Sequence, residues 1–265
     1  MLENSWFKKE KPFAGFAGFG GGVGSNLVAG VSIPLELPPW YDDLDPFSDS
    51  SQVGYWKLES ASARNENNTG ATCSTQDGTP TFTAFGSTGA KYWNNPENSS
   101  LNCGDNPRST YPLSFSIWCY KPTGDWSSGG NNQLLMNWNM GGQRLSICNL
   151  SWDGDGVYKW SIMYGGTNHW TFDPSSRPEN EWMHIVYCIQ GSNNTGHKLY
   201  QNGGSALTAT NLGWSHGGSA GTAIGGNSAG SEDWNGYMYN VRLFNKLLSQ
   251  SEAAQLYAND KPPGA

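Results

Sequence analysis

A chain of 265 residues can bury one large core or two small ones without help from metals or a dense disulfide framework. Its net charge of -7 and sequence pI near 5.0, with no basic stripe, exclude a nucleic-acid binder, which needs clustered lysine and arginine to displace counterions. With 13 Trp, 12 Tyr, 10 Phe and 35 Gly in a chain that is 14% charged, the composition favours strands joined by tight turns over helices.

Residues 1–50 differ from the rest. They begin "MLENSWFKKEKPFAGFAGFGGG", with Phe13, Phe16 and Phe19 recurring every third position, and continue through the proline-rich "VSIPLELPPWYDDLDPF". Proline at this density suits neither a helix interior nor a central strand. A secretory signal needs an unbroken apolar core of about 7–15 residues. Here Lys8, Lys9 and Lys11 bracket Glu10, Pro12 follows, and glycine interrupts the apolar run. The stretch reads as an extended arm that anchors an assembly, with Trp6, Phe13, Phe16 and Phe19 as its contacts, and not as a signal.

From residue 51 onward one β-domain is expected, over 51–265. Strands are predicted at "VGYWKLE" (53–59) and at "PLSFSIWCYKP" (112–122), stopped by Lys121-Pro122. "NQLLMNWNM" and "QRLSICNLSW" form a hairpin pair around Gly141-Gly142. The tight-turn signal "DGDG" (153–156) precedes "VYKWSIMYGG". "EWMHIVYCIQG" (181–191) is apolar on both alternating sets of positions, as a central strand covered on both sides requires. "HKLYQNGG" (197–204) runs into an Asn-Gly turn, "GTAIGGNSAG" (221–230) holds a short strand, and "WNGYMYNVRLFN" (234–245) a long one. Strands at this spacing indicate an antiparallel sandwich or jelly roll. The one expected helix follows Ser249, where Ser-x-x-Glu has the form of a capping box, and stops at Lys261-Pro262-Pro263.

The stretches "YPLSFSIWCYKP", "EWMHIVYCIQG", "HKLYQNGG" and "WNGYMYNVRLFNKLLSQSEAAQLY", in that order, resemble the laminin-G-like, concanavalin A-like jelly roll in its bacterial and phage form. The resemblance covers roughly residues 50 to 258. It implies an all-β sandwich with one short C-terminal helix, and a lectin-like capacity for surface glycans. The family often has acidic residues midway along the closing strand. This chain has Tyr239 and Asn240 there, which puts any calcium or polar role of those acids in doubt. The arm resembles the N-terminal leader of structural proteins from tailed phages. That implies a virion structural protein, a capsid decoration or a tail or fibre component, held to other virion proteins through residues 1–50 and assembled as a homo-oligomer; the alternative is a stand-alone carbohydrate-binding, lectin-like module.

Catalysis is not expected. The family's glucanases alternate Glu and Asp along one strand, setting two carboxylates about 5–5.5 Å apart for retaining hydrolysis. No stretch here has that form; "YDDLDPF" (41–47) and "SEDW" (231–234) read as loop acids. His169, His184, His197 and His216 are dispersed, and His184 reads as a hydrogen-bonded core or edge histidine. Asp153 and Asp155 suit a hairpin turn, with a calcium site as the alternative, so no cofactor is expected. Trp126, Trp138, Trp152, Trp170, Trp214 and Trp234 fall at or near predicted loops. The first five are the candidate sugar contacts, and the alternative is that they close the ends of the sandwich.

Cys119 and Cys188 lie in apolar runs and read as buried free thiols, whereas Cys73 and Cys103 flank a loop-rich stretch and could pair. Sequons at Asn67, Asn98, Asn149 and Asn193 matter only in a secreted eukaryotic protein. No run reaches the roughly 18–20 apolar residues of a membrane-spanning helix, so no membrane insertion is expected.

Overall fold

The computed structural model describes residues 42, 44–59, 74–77, 81–84, 91–95, 100–103, 108–122, 133–140, 143–150, 159–164, 168–172, 179–191, 196–211, 221–226 and 233–263. The chain divides into two units, 1–36 and 37–265, and every described residue belongs to the second. Along the chain come β1 (Gln52–Trp56), β2 (Ser74–Asp77), β3 (Thr81–Ala84), β4 (Lys91–Asn95) and β5 (Ser100–Asn102). They are followed by β6 (Leu113–Tyr120), β7 (Gln133–Met140), β8 (Gln143–Leu150), β9 (Lys159–Tyr164) and β10 (Asn168–Phe172). Then come β11 (Trp182–Ile189), β12 (Lys198–Gln201), β13 (Leu207–Thr208), β14 (Thr210–Asn211), β15 (Ala223–Ile224) and β16 (Gly236–Phe244), with α1 (Gln250–Asn259) last.

The strands form two antiparallel sheets. The first runs β13-β12-β11-β6-β16-β4-β3, and β1 pairs with the far half of β16. The second runs β14-β10-β9-β8-β7-β15-β5-β2. Alternation along each strand sends one set of side chains inward. Ile117, Cys119, Ile185 and Tyr187 of the first sheet meet Met136, Trp138, Ile147, Ile162 and Trp170 of the second in one core. The jelly-roll expectation is met, including the hairpin β7–β8 and the short strand β15.

β11 is buried along its whole length, and the cover on its second face comes from two sources. Val186 and Cys188 face outward and pack with Tyr200, Phe244 and Leu248, under Ala253 and Leu256 of α1. Phe47 joins the same cluster, 5.4 Å from the Phe244 ring. Gln255 Nε2 donates to the Pro46 carbonyl (2.9 Å), and Lys246 pairs with Asp49 and Glu252. The packed unit therefore takes in residues 44–50, which the sequence assigns to the arm.

α1 starts as its capping box requires: Ser249 Oγ accepts from the Glu252 N–H (3.3 Å), and Glu252 Oε2 accepts from the Ser249 N–H (2.8 Å). Beneath it, the Asn202-Gly203 turn has positive φ at both positions (50° and 67°), as a two-residue hairpin of this twist demands. A Cβ on Gly203 would also stand 3.0 Å from the Ala254 backbone, so the glycine lets α1 approach.

Cys119 and Cys188 are buried free thiols, as expected, and Cys103 is disulfide-bonded. Cys148 on β8 stands three ladder steps from β5, each of about 4.8 Å, and a disulfide needs Cα atoms within about 7 Å. Cys73 lies outside the described residues. A non-reducing peptide map is expected to join Cys103 to Cys73; a Cys103–Cys148 peptide would contradict the strand order.

Candidate functional site

Three of the tryptophans expected at loops are core residues. Trp138 (0% exposed) and Trp170 (1%) point inward from β7 and β10, and Trp234 is fully buried. Their polar neighbours are what misled: Asn137 and Asn139 flank Trp138 on the opposite face of the strand, so a half-polar sequence hides a two-residue alternation. Trp138 Nε1 donates to the Arg108 carbonyl (2.9 Å), with its ring edge-on to Trp56 and Phe115. Trp234 stacks against Trp160 (6.4 Å) under the buried Lys121, whose Nζ donates to the Asn235 carbonyl (2.6 Å). Neither Trp138 nor Trp170 presents a face to a sugar.

Trp126, Trp152, Trp214, Asp153, Asp155, and the arm residues Trp6, Phe13, Phe16 and Phe19 lie outside the described residues.

The outer faces of the two sheets differ in kind. On the second sheet one row across four strands reads Ala223, Asn137, Ser146 and Met163. It is polar at its centre but closed: Asn137 and Ser146 are 0% exposed, and the Asn137 amide makes no hydrogen bond through either atom.

On the first sheet the outer face is aromatic and reaches solvent. Trp182, Tyr120 and Tyr237 lie side by side on β11, β6 and β16. Their ring centroids are 5.6 Å apart in both pairs, the first tilted at 59° and the second edge-on at 81°. In the next row the buried Trp118 sits between His184 and the half-buried Tyr239. Trp118 stacks on Tyr257 of α1 (5.5 Å, 17°), so the helix backs the patch from one side. Two hydroxyls are tied to its edge: Tyr120 donates to Asn180 Oδ1 (3.4 Å), and Tyr239 to Glu59 Oε1 (3.1 Å). Burial, then the neighbouring Tyr237, hold the Tyr120 phenol above its ordinary pKa, so it stays a neutral donor.

No loop signal marked these residues. A usable one was present: Trp118 and Tyr120, like Tyr237 and Tyr239, stand two apart, on the face opposite Cys119 and Met238 of the core.

His184 is a core histidine, as the sequence suggests. Its Nε2 lies 2.7 Å from Ser116 Oγ, the spacing of a nucleophile and its base, but the imidazole is fully buried beside Trp118 and Tyr257. Burial and the Arg242 charge push its pKa down to about 3, and burial takes His197 down to about 4. In the unfolded chain both take up protons near pH 6.5. Between that value and about pH 4 the unfolded state therefore binds more protons, and stability falls as pH falls. The urea midpoint is expected to be flat from pH 8 to 7 and to decline from about 6.5 downward. His184→Gln should flatten that slope whatever it does to the midpoint itself. Below about pH 4.5 a second loss joins. Burial raises the Asp49 and Glu252 carboxyls, but hydrogen bonds from Lys246 and nearby serines hold both below their ordinary values. That contribution is small, because Asp49 is 40% exposed and the pair is screened.

Among the described residues no helix is long and apolar enough to cross a membrane, and no three His, Cys, Asp or Glu side chains gather as a metal site.

Residues 95–254 match the family described as the Concanavalin A-like lectin/glucanases superfamily. The chain belongs to this superfamily. Among solved structures this superfamily member is similar to domain 4 of AbnA, an extracellular arabinanase from Geobacillus stearothermophilus, in complex with arabinotriose. The two share 16% identity with a TM-score of 0.57, over 78% of this chain and 98% of that one. It is also similar to the receptor-binding domain of botulinum neurotoxin D (14%, TM-score 0.52, 83% of this chain and 54% of that one). A third is Trypanosoma rangeli sialidase (14%, TM-score 0.52, 80% and 33%). The chain thus spans about half of the neurotoxin domain and a third of the sialidase. These likenesses establish a shared fold. No curated protein sequence matches the chain.

Proposed function

We propose that the chain is a non-enzymatic carbohydrate-binding protein that holds glycans on the aromatic outer face of its first sheet. The carrying observation is the line Trp182–Tyr120–Tyr237, partly open to solvent, with Asn180 and Glu59 at its edge. Aromatic rings offer apolar faces to sugar C–H groups, while amides and carboxylates accept sugar hydroxyls. Membership of a lectin-bearing superfamily, and a fold neighbour solved with arabinotriose, support the same reading. The test is calorimetric titration with a panel of neutral oligosaccharides. The double variant Tyr120→Ala/Tyr237→Ala is expected to lose about 2 kcal/mol of binding, roughly thirtyfold in Kd, with native circular dichroism. Unchanged binding in that variant would end the assignment.

We infer that this module sits on a tailed-phage virion, as a homo-oligomer attached to other virion proteins through residues 1–50. The support is compositional: Trp6, Phe13, Phe16 and Phe19 recur among glycines, as in a segment that packs on a partner. Deleting residues 1–41 is expected to abolish incorporation into particles while sparing glycan binding. Particles that still take up the truncated chain would refute the attachment role.

A further inference from the structure

Resting on the carbohydrate reading of the same surface, we infer that its ligand is a single, soluble, uncharged glycan chain, and that the rim rejects acidic sugars. Two features of the surface carry this. The first is ring orientation. Trp182, Tyr120 and Tyr237 are evenly spaced, but their planes turn by 59° and then 81°. No flat array of sugars, such as a crystalline polysaccharide face, can stack on all three. A lone chain whose successive rings rotate can follow them.

The second is charge. Glu59, Glu179 and Glu181 are all exposed in the segments that hold the rings and their hydrogen-bond partners. Against them stand Lys57, half-buried with its ammonium 5.7 Å from the Tyr55 ring, and Lys121, fully buried with its Nζ donating to the Asn235 carbonyl. Among the described residues of these segments three exposed carboxylates face two occupied lysines, so a carboxylate-bearing sugar would meet net like charge, whereas neutral sugar hydroxyls would find acceptors. The Glu59 carboxylate accepts from Tyr239 through Oε1, and a carboxylate has further lone pairs for a ligand hydroxyl.

The experiment compares the full chain against neutral linear arabinan, xylan and β-glucan oligosaccharides, matched uronic-acid oligomers, sialyllactose and microcrystalline cellulose, at low and high salt. The expected result is binding of at least one neutral oligosaccharide that Tyr120→Ala/Tyr237→Ala removes. Acidic glycans should bind about tenfold or more weakly at low salt, with a gap that narrows at high salt. Glu179→Gln/Glu181→Gln should raise affinity for acidic glycans alone; these side chains are exposed, so the fold tolerates the change. Tyrosine-dependent binding of acidic glycans as tight as neutral ones would overturn the charge inference and leave the carbohydrate reading standing. Retention on cellulose as strong as on soluble chains would overturn the single-chain inference. Absence of any Tyr120- and Tyr237-dependent glycan binding would overturn the carbohydrate reading itself.

Discussion

Replacing Asp260 by alanine is expected to destabilise the domain by about 3–5 kcal/mol, a fall of roughly 6–20 °C in Tm for a domain of this size. The cause is the guanidinium left behind. Arg242 projects from the outer face of β16 and is 0% exposed. Its Nε and one terminal nitrogen donate to the two Asp260 oxygens, both at 2.5 Å, and the other terminal nitrogen donates to Gln52 Oε1 (2.7 Å). The guanidinium lies 3.7 Å from the centre of the Tyr55 ring, and the Tyr55 hydroxyl donates to Asn240 Oδ1 (3.0 Å). Asp260 is also the C-cap of α1, its N–H donating to the Leu256 carbonyl (2.8 Å). Truncating it strands a buried cation and loosens the helix end together. The double change Arg242→Met/Asp260→Leu should recover most of the loss, because removing both charges removes the desolvation problem with them. Thermal unfolding of the two variants decides it. A mild single mutant, within about 1 kcal/mol of wild type, would mean that water reaches the guanidinium.

Trp138→Ala is expected to cost a similar 3–5 kcal/mol, for a different reason. The indole fills the middle of the core between the sheets, edge-on to Trp56 (5.9 Å) and Phe115 (5.3 Å). Its removal opens a cavity that close-packed neighbours on two sheets cannot collapse into. The Arg108 carbonyl loses its indole donor at the same time. Below its lowered melting temperature the variant should bind glycans as wild type does. Tyr120→Ala/Tyr237→Ala should show the reverse pattern, with binding lost and most of the stability kept. Measured side by side, the two variants separate a packing aromatic from a ligand-facing one.

Long strands and the helix start were legible because each carries its own local pattern. β11 announces a covered strand by lacking a polar set, and Ser249 with Glu252 announces the cap. The short strands β2, β3, β4, β5, β10, β13 and β14 were not legible: sequences such as "STQD" and "TFTA" hold place through their ladders, with little periodicity of their own. The same limit explains the site. Whether a tryptophan faces core or solvent depends on which sheet lies beneath it, and that is a tertiary fact. Trp138 looked exposed amid asparagines, whereas Tyr120, Tyr237 and Tyr239 looked like ordinary strand residues. The Arg242–Asp260 pair was invisible for another reason. It joins the closing strand to the end of α1, and nothing in the spacing of 242 and 260 marks that return.

The pairing of β1 with β16 bears on how the polypeptide reaches this state at all. Gln52 stands opposite Phe244, and the strand that fills the gap between β6 and β1 follows every other described strand in the chain. Until residues 236–244 emerge from the ribosome, β6 and β1 both hold unsatisfied edges, and the outer face that α1 later covers is bare. Contacts this distant in sequence close slowly, since loop entropy is lost before any bond forms. A chain that ends before β16 therefore presents open strand edges, the kind of surface through which partly folded chains aggregate.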